Sequence, residues 1–125
     1  MSETHEHAEH ANGPVAAAIA SSVVRLVREY TGRGPTRART VISGDLVTVV
    51  MGDMLTKAER KLADDGKADL VLHIRQEFQR TMREDLIAAI EMLTERKVIA
   101  FMSDNHIDPD MAVEAFVLAP EPAAA

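Results

Sequence analysis

Three groups of residues along this chain have the types and spacing for chemistry. The first is basic. Arg25, Arg28, Arg33, Arg37 and Arg39 crowd into residues 25–39 with Glu29 as the only acid, five against one, a local balance of +4. Guanidinium groups are planar, permanently charged donor forks that suit carboxylates and phosphates. Two readings are open: a solvated basic surface, or a surface that meets an anion, an acidic partner or the acidic end of a second copy. Within the cluster, Gly32-Arg33-Gly34-Pro35 can also present backbone N–H groups. A phosphate-binding loop, however, needs a longer glycine run that opens into a helix. Here the glycines close a helix and lead into a strand, so the helix dipole points the wrong way.

The second group is acidic. Residues 98–125 carry Asp104, Asp108, Asp110, Glu114 and Glu121 and no Lys or Arg, a balance of −5. The run Asp104-Asn105-His106-Ile107-Asp108-Pro109-Asp110 has the composition of a calcium loop. It lacks the central Gly and late Glu of an EF-hand and lies between strands, so a solvated hairpin turn is the better reading. His106 beside Asp104 or Asp108 is the one pair with the form of a general base and its orienting carboxylate. No Ser or Lys stands ready to complete a nucleophilic set. No catalytic residue is assigned, and the chain is read as non-enzymatic. Glu114 sits mid-strand between Ala112 and Phe116. If its face is covered, the carboxylate needs a cation, and Arg37 and Arg39 are the candidates.

The third group is His5, His7 and His10, imidazoles that suit a transition metal. They fall in a polar segment without periodicity, read as a disordered His/Glu-rich tail over 1–13. A tail offers no fixed geometry, so neither metal nor cofactor is assigned.

Composition narrows the class. A chain of 125 residues makes one domain with one modest core. The absence of Cys excludes disulfides, thiolate catalysis and Cys-based zinc sites. No apolar run approaches the roughly 18 residues of a membrane span, so no direct membrane insertion is expected. The N-terminus lacks the basic start and apolar stretch of a signal peptide, which points to a cytoplasmic protein. With one Tyr and three Phe there is little to stack on bases, and no nucleic-acid partner is expected.

The elements that must position these residues follow in order. Gly13-Pro14 is a helix start. Val15, Ile19, Val23, Leu26, Val27 and Tyr30 form an apolar stripe, and Gly32 and Pro35 stop the helix. Thr36–Ile42 and Leu46–Met51 make a hairpin around Ser43-Gly44-Asp45. Thr56-Lys57-Ala58-Glu59 has the form of a capping box and starts a short helix. A long helix spans about Ala68 to Glu95, with Leu70, Ile74, Phe78, Met82, Leu86, Ile90 and Leu93 as its stripe and Arg75 on the polar side. Strands at Val98–Ser103 and Met111–Leu118 follow, and a frayed Pro/Ala tail occupies 119–125. The expected fold is α+β in the order α-β-β-α-α-β-β, a four-stranded, mostly antiparallel sheet with helices packed on it, over residues 14–118. Both sheet faces read as apolar: Met111, Val113, Ala115 and Val117 oppose Ala112, Glu114, Phe116 and Leu118. Either a homodimer covers the second face, or the helices divide between both faces of a monomer.

One combination of motifs is distinctive. An amphipathic helix runs into Tyr30-Thr31-Gly32-Arg33-Gly34-Pro35. A hairpin with Asp45, then Gly52, Leu55-Thr56, Glu59 and Leu62 come next. A long helix with Arg75 and Phe78 and a closing Glu114-Ala115-Phe116-Val117-Leu118 complete it. Over residues 14–118 this resembles the small, YbcI-like bacterial family named for MpsC, the third component of a Na+-translocating, membrane-potential-generating system. Where relatives have Thr-Gly before the third strand, this chain has Thr94-Glu95-Arg96-Lys97, a departure that would lengthen the helix. The resemblance implies a non-enzymatic accessory or regulatory protein associated with a membrane ion or inorganic-carbon transport complex. It supplies no catalytic residues. The candidate partner- or anion-binding residues are Arg25, Arg28, Arg33, Gly34, Arg37 and Arg39. The competing expectation is a small-ligand or nucleotide-anion sensor that uses the same basic end.

Overall fold

The computed structural model describes residues 13–121. The elements are α1 (Gly13–Thr31), β1 (Arg37–Ser43), β2 (Leu46–Gly52), α2 (Lys57–Asp64), α3 (Ala68–Thr94), β3 (Val98–His106) and β4 (Met111–Leu118). This is the α-β-β-α-α-β-β order expected. The N-terminal tail lies outside the described residues except Gly13, which opens α1, and residues 122–125 lie outside them as well.

Local chemistry sets the boundaries. Gly32 takes φ 79°, which closes α1 with its N–H on the Arg28 carbonyl at 2.9 Å. Gly44 at φ 58° lets two residues link Ser43 to Leu46. At α2 the Thr56 hydroxyl accepts from the Glu59 N–H at 3.1 Å, and Glu59 Oε1 accepts from the Thr56 N–H at 2.8 Å. The extension of the long helix does not occur. Thr94 is its last residue, and Glu95 adopts the left-handed conformation (φ 57°, ψ 30°), with its N–H on the Glu91 carbonyl. A glutamate thus occupies the backbone state that glycine fills at least cost.

The strands pair antiparallel throughout, in the order β1-β2-β4-β3. Two hairpins therefore meet through their inner strands, and β1 and β3 are the edges. Helix α1 packs on β1 and α3, α3 packs on β3, and α2 packs on α3. Ile19, Val23 and Val27 of α1, and Met82, Leu86 and Ile90 of α3, close over Val47, Val49, Met51, Ala112, Phe116 and Leu118. All these sheet residues point to one face. The arrangement with helices divided between both faces is not the one adopted. Phe116 is fully buried and lies 5.0 Å, centroid to centroid, from Phe101. Burial of one such side chain contributes about 2–3 kcal/mol, so this pair anchors the core.

The long helix departs from its expected phase in its first half. Leu70 is exposed, whereas Val71, Arg75 and Gln79 are buried before the stripe rejoins Met82, Leu86 and Ile90. Arg75, expected on the polar side of the helix, is 3% exposed. It donates to Glu59 Oε1 at 2.7 Å and to the Met54 carbonyl. The helix turns its polar positions inward there because α2 supplies a carboxylate and the β2–α2 loop a carbonyl. Burial of a guanidinium is tolerable only with such partners.

Candidate interaction surface

The arginine cluster does not converge on one point. Arg25 and Arg28 lie on α1, Arg33 in the connection to the sheet, and Arg37 and Arg39 on edge strand β1. Arg33 is bound internally, with Nη2 2.8 Å from Asp53 Oδ2. Asp53 also accepts from the Thr36 hydroxyl at 3.0 Å and from Arg60 at 3.0 Å. The Thr36 hydrogen bond, followed by Arg33 and Arg60, holds the Asp53 carboxyl below its ordinary range. Arg33 therefore fastens the α1–β1 connection to the β2–α2 loop. Gly34 has a different use: a Cβ there would lie 2.9 Å from the Arg28 guanidinium, so the missing side chain lets Arg28 fold over it. The Arg37 guanidinium lies in the same way over Gly52. Arg25, Arg28, Arg37 and Arg39 are exposed and form no ion pair among the described residues.

The second face of the sheet is uncovered by any described helix. Its side chains fall into four rungs across β1, β2, β4 and β3. The first is Arg37, Gly52, Met111 and His106. The second is Arg39, Val50, Val113 and Asp104. The third is Val41, Thr48, Ala115 and Met102, and the fourth is Ser43, Leu46, Val117 and Ala100. The middle is apolar, with Leu46 at 42%, Met102 at 55% and Met111 at 40% exposed. An open groove of about 400 Å³ runs along it between Arg37, Arg39, Val50 and Met111. Cations thus border the apolar face on the β1 edge, and Asp104 and His106 border it on the β3 edge.

The acidic candidates are distributed by the same register. Glu114 does not meet Arg37 or Arg39. It pairs across to Val49, on the helix-covered face, whereas Arg37 and Arg39 project from the other. Gln79 Nε2 donates to Glu114 Oε1 at 3.2 Å, and Asn105 Nδ2 donates to Gln79 Oε1 at 2.9 Å. Glu114 Oε2 has no partner. At 1% exposure, burial pushes the carboxyl up from 4.5 to about 8, against the lowering effect of the hydrogen bond from Gln79. Burial thus favours the neutral acid at Glu114. One amide, itself held by Asn105, serves it where a cation was expected.

The turn with calcium-loop composition closes chain on chain. Asp110 accepts the Met54 and Leu55 N–H groups at 3.0 Å each and pairs with Arg60 at 3.0 Å. His106 is exposed, with Nδ1 2.8 Å from the Pro109 carbonyl oxygen. It therefore has a backbone partner where Asp104 or Asp108 was expected. Among the described residues no three His, Asp or Glu side chains gather as a metal site, and no helix is long and apolar enough to cross a membrane. Sequence reasoning missed the inward Arg75 and Gln79. The signal was available: Val71, Arg75 and Gln79 have the same four-residue spacing as the chosen stripe, and the capping glutamate leaves a carboxylate for a cation.

These features define a small α+β protein with one core and one uncovered sheet face, in which Arg33, Arg60, Arg96, Asp53 and Asp110 fasten loops to one another. The chain belongs to the family described as "Na+-translocating membrane potential-generating system (MpsC)", whose family model matches residues 11–120. No curated protein and no solved structure matches the chain.

Proposed function

We propose that this protein is a non-enzymatic accessory or regulatory subunit of the membrane-potential-generating system, acting in the cytoplasm by binding protein partners, a second copy of itself included. The observation that carries the reading is the uncovered apolar sheet face bordered by arginines. An apolar patch with a charged rim is the usual form of a protein-binding surface. Membership of the family supports a role beside a membrane ion-transport complex. The exposed Arg25 and Arg28, on α1 and away from the sheet face, suit an acidic surface on such a complex.

The test uses Arg25→Glu/Arg28→Glu. Arg33 is a poor choice, because its reversal would set a carboxylate beside Asp53 and loosen the fold. Tagged wild-type protein is incubated with membranes that contain the subunits of the transport system, and retention is measured against salt. Wild type is retained and releases as salt rises. The double reversal lowers retention tenfold or more, with an unchanged circular dichroism spectrum and melting temperature. Equal retention of the two proteins refutes a role for Arg25 and Arg28, and wild type that is not retained at any salt concentration refutes the accessory reading itself.

A further inference from the structure

The reading that the uncovered face binds protein leaves open how a second copy would lie on it, and the four rungs carry an answer. We infer that two copies pack these faces together about a two-fold axis parallel to the strands, so that Arg39 of each copy pairs with Asp104 of the other. This inference rests on the proposed function only in taking the face as a protein-binding surface.

Two sheets packed face to face keep their strands within about 30° of each other, some 10 Å apart. A two-fold axis between the sheets then has two simple settings. An axis perpendicular to the strands lays each β1 edge over the other β1 edge and reverses the order of the rungs. Arg39 then faces the Val41 rung and Arg37 the Ser43 rung, and both guanidiniums are desolvated without an acid. An axis parallel to the strands keeps each rung on its own counterpart and exchanges the edges, β1 over β3. The second rung places Arg39 against Asp104 of the other copy and Val50 against its Val113. The third places Val41 against Met102 and Thr48 against Ala115, and the fourth places Leu46 against Val117. In these three rungs every apolar residue meets an apolar or small one, and the first rung sets Arg37, folded over Gly52, against Met111 and His106 of the other copy. The edge cation meets the edge carboxylate twice, once at each side of the interface. Such a self-complementary surface is what an isologous dimer requires.

The size is adequate. Four strands at about 4.8 Å and seven residues at about 3.4 Å give a face of roughly 19 by 24 Å, about 460 Å² in flat projection. That projection is more than half of the ~800 Å² each partner of a standard interface buries, and side-chain relief adds to it. Three of the large exposed apolar residues, Leu46, Met102 and Met111, lose their solvent contact in the process. The pairing also explains an edge strand that is otherwise costly: the Arg39 guanidinium beside Val41 and Val50 finds a carboxylate instead of bordering an apolar surface unpaired.

The experiment is sedimentation equilibrium of the full chain at low salt, with circular dichroism as the check of folding. Wild type sediments at twice its 13.7 kDa mass. Arg39→Glu and Asp104→Arg each raise the dimer dissociation constant tenfold or more. The double swap Arg39→Glu/Asp104→Arg returns it to within threefold of wild type. A second measurement does not depend on affinity. The chain has no cysteine, and β1 and β3 lie three strand spacings, about 14 Å, apart within one copy. Arg39→Cys/Asp104→Cys therefore joins two copies with a short bis-maleimide linker, in high yield. Wild type that stays monomeric at 100 µM, or a double swap no better than either single change, overturns the inference. A monomer that still binds the transport subunits would do so while leaving the accessory role standing, and a swap-rescued dimer that binds none of them would support the inference while removing that role.

Discussion

Glu114→Gln tests the physics of the buried network most directly. In the folded chain the Glu114 carboxyl is 1% exposed and titrates at about 8; in the unfolded chain it returns to its ordinary 4.5. The folded-state value is raised, so the associated stability is fully present below pH 4.5 and is lost as pH rises toward 8. Each unit of pH between these values costs about 1.4 kcal/mol, because the unfolded chain releases a proton that the folded chain keeps. At pH 7 the loss is about 3 kcal/mol, a large share of the roughly 5–15 kcal/mol that hold a domain of this kind together. Glutamine has the same shape and no charge to lose. It keeps an acceptor for Gln79 Nε2 but places an N–H2 group where Oε2 now lacks a partner, at a cost of about 1–3 kcal/mol at every pH. The two stability curves must therefore differ in slope. The assay is urea unfolding of both proteins from pH 4.5 to 8 at one protomer concentration. The variant is the less stable at pH 4.5, gains on wild type by about 1.4 kcal/mol per pH unit, and equals or exceeds it near pH 7. Other ionisable groups contribute equally to both proteins, so the difference isolates Glu114. Parallel curves across this range would refute the assignment of a buried neutral acid.

Two further outcomes follow from the same kind of accounting. Glu95→Gly removes a left-handed glutamate at the end of α3 and raises stability by about 1 kcal/mol, read as a higher melting temperature; no change or a loss would show that Glu95 makes a compensating contact. Arg75→Met leaves Glu59 buried without its cation and costs about 3–5 kcal/mol in urea unfolding, whereas Arg75→Met/Glu59→Gln, which keeps an acceptor for the Thr56 N–H, recovers most of that loss; equal loss in both variants would show that the guanidinium stabilises the fold mainly through the Met54 carbonyl.

Much of the fold was legible because its signals are local. Gly32, Gly44 and the Thr56–Glu59 capping box act within a few residues of themselves, and the elements begin and end close to where those residues place them. The alternation in Leu46–Gly52 and Met111–Leu118 was enough to show that both sheet faces are apolar, and the structure finds one of them without a helix. The phase of α3 was not legible. Leu70-Ile74-Phe78 and Val71-Arg75-Gln79 have equal spacing, and hydropathy favours the first. The choice of the second was made by Glu59, Met54, Glu114 and Asn105, groups 16 to 35 residues away in the chain or reached through those contacts. The same holds for charge. Composition revealed a basic end and an acidic end. Only the register of the sheet decided that Arg33 closes on Asp53, that Glu114 turns away from Arg37 and Arg39, and that Arg39 and Asp104 border opposite edges of one apolar face. Local propensity acts through neighbours along the chain, whereas the pairing of a buried polar group depends on what the other elements bring to it, and that is decided by packing.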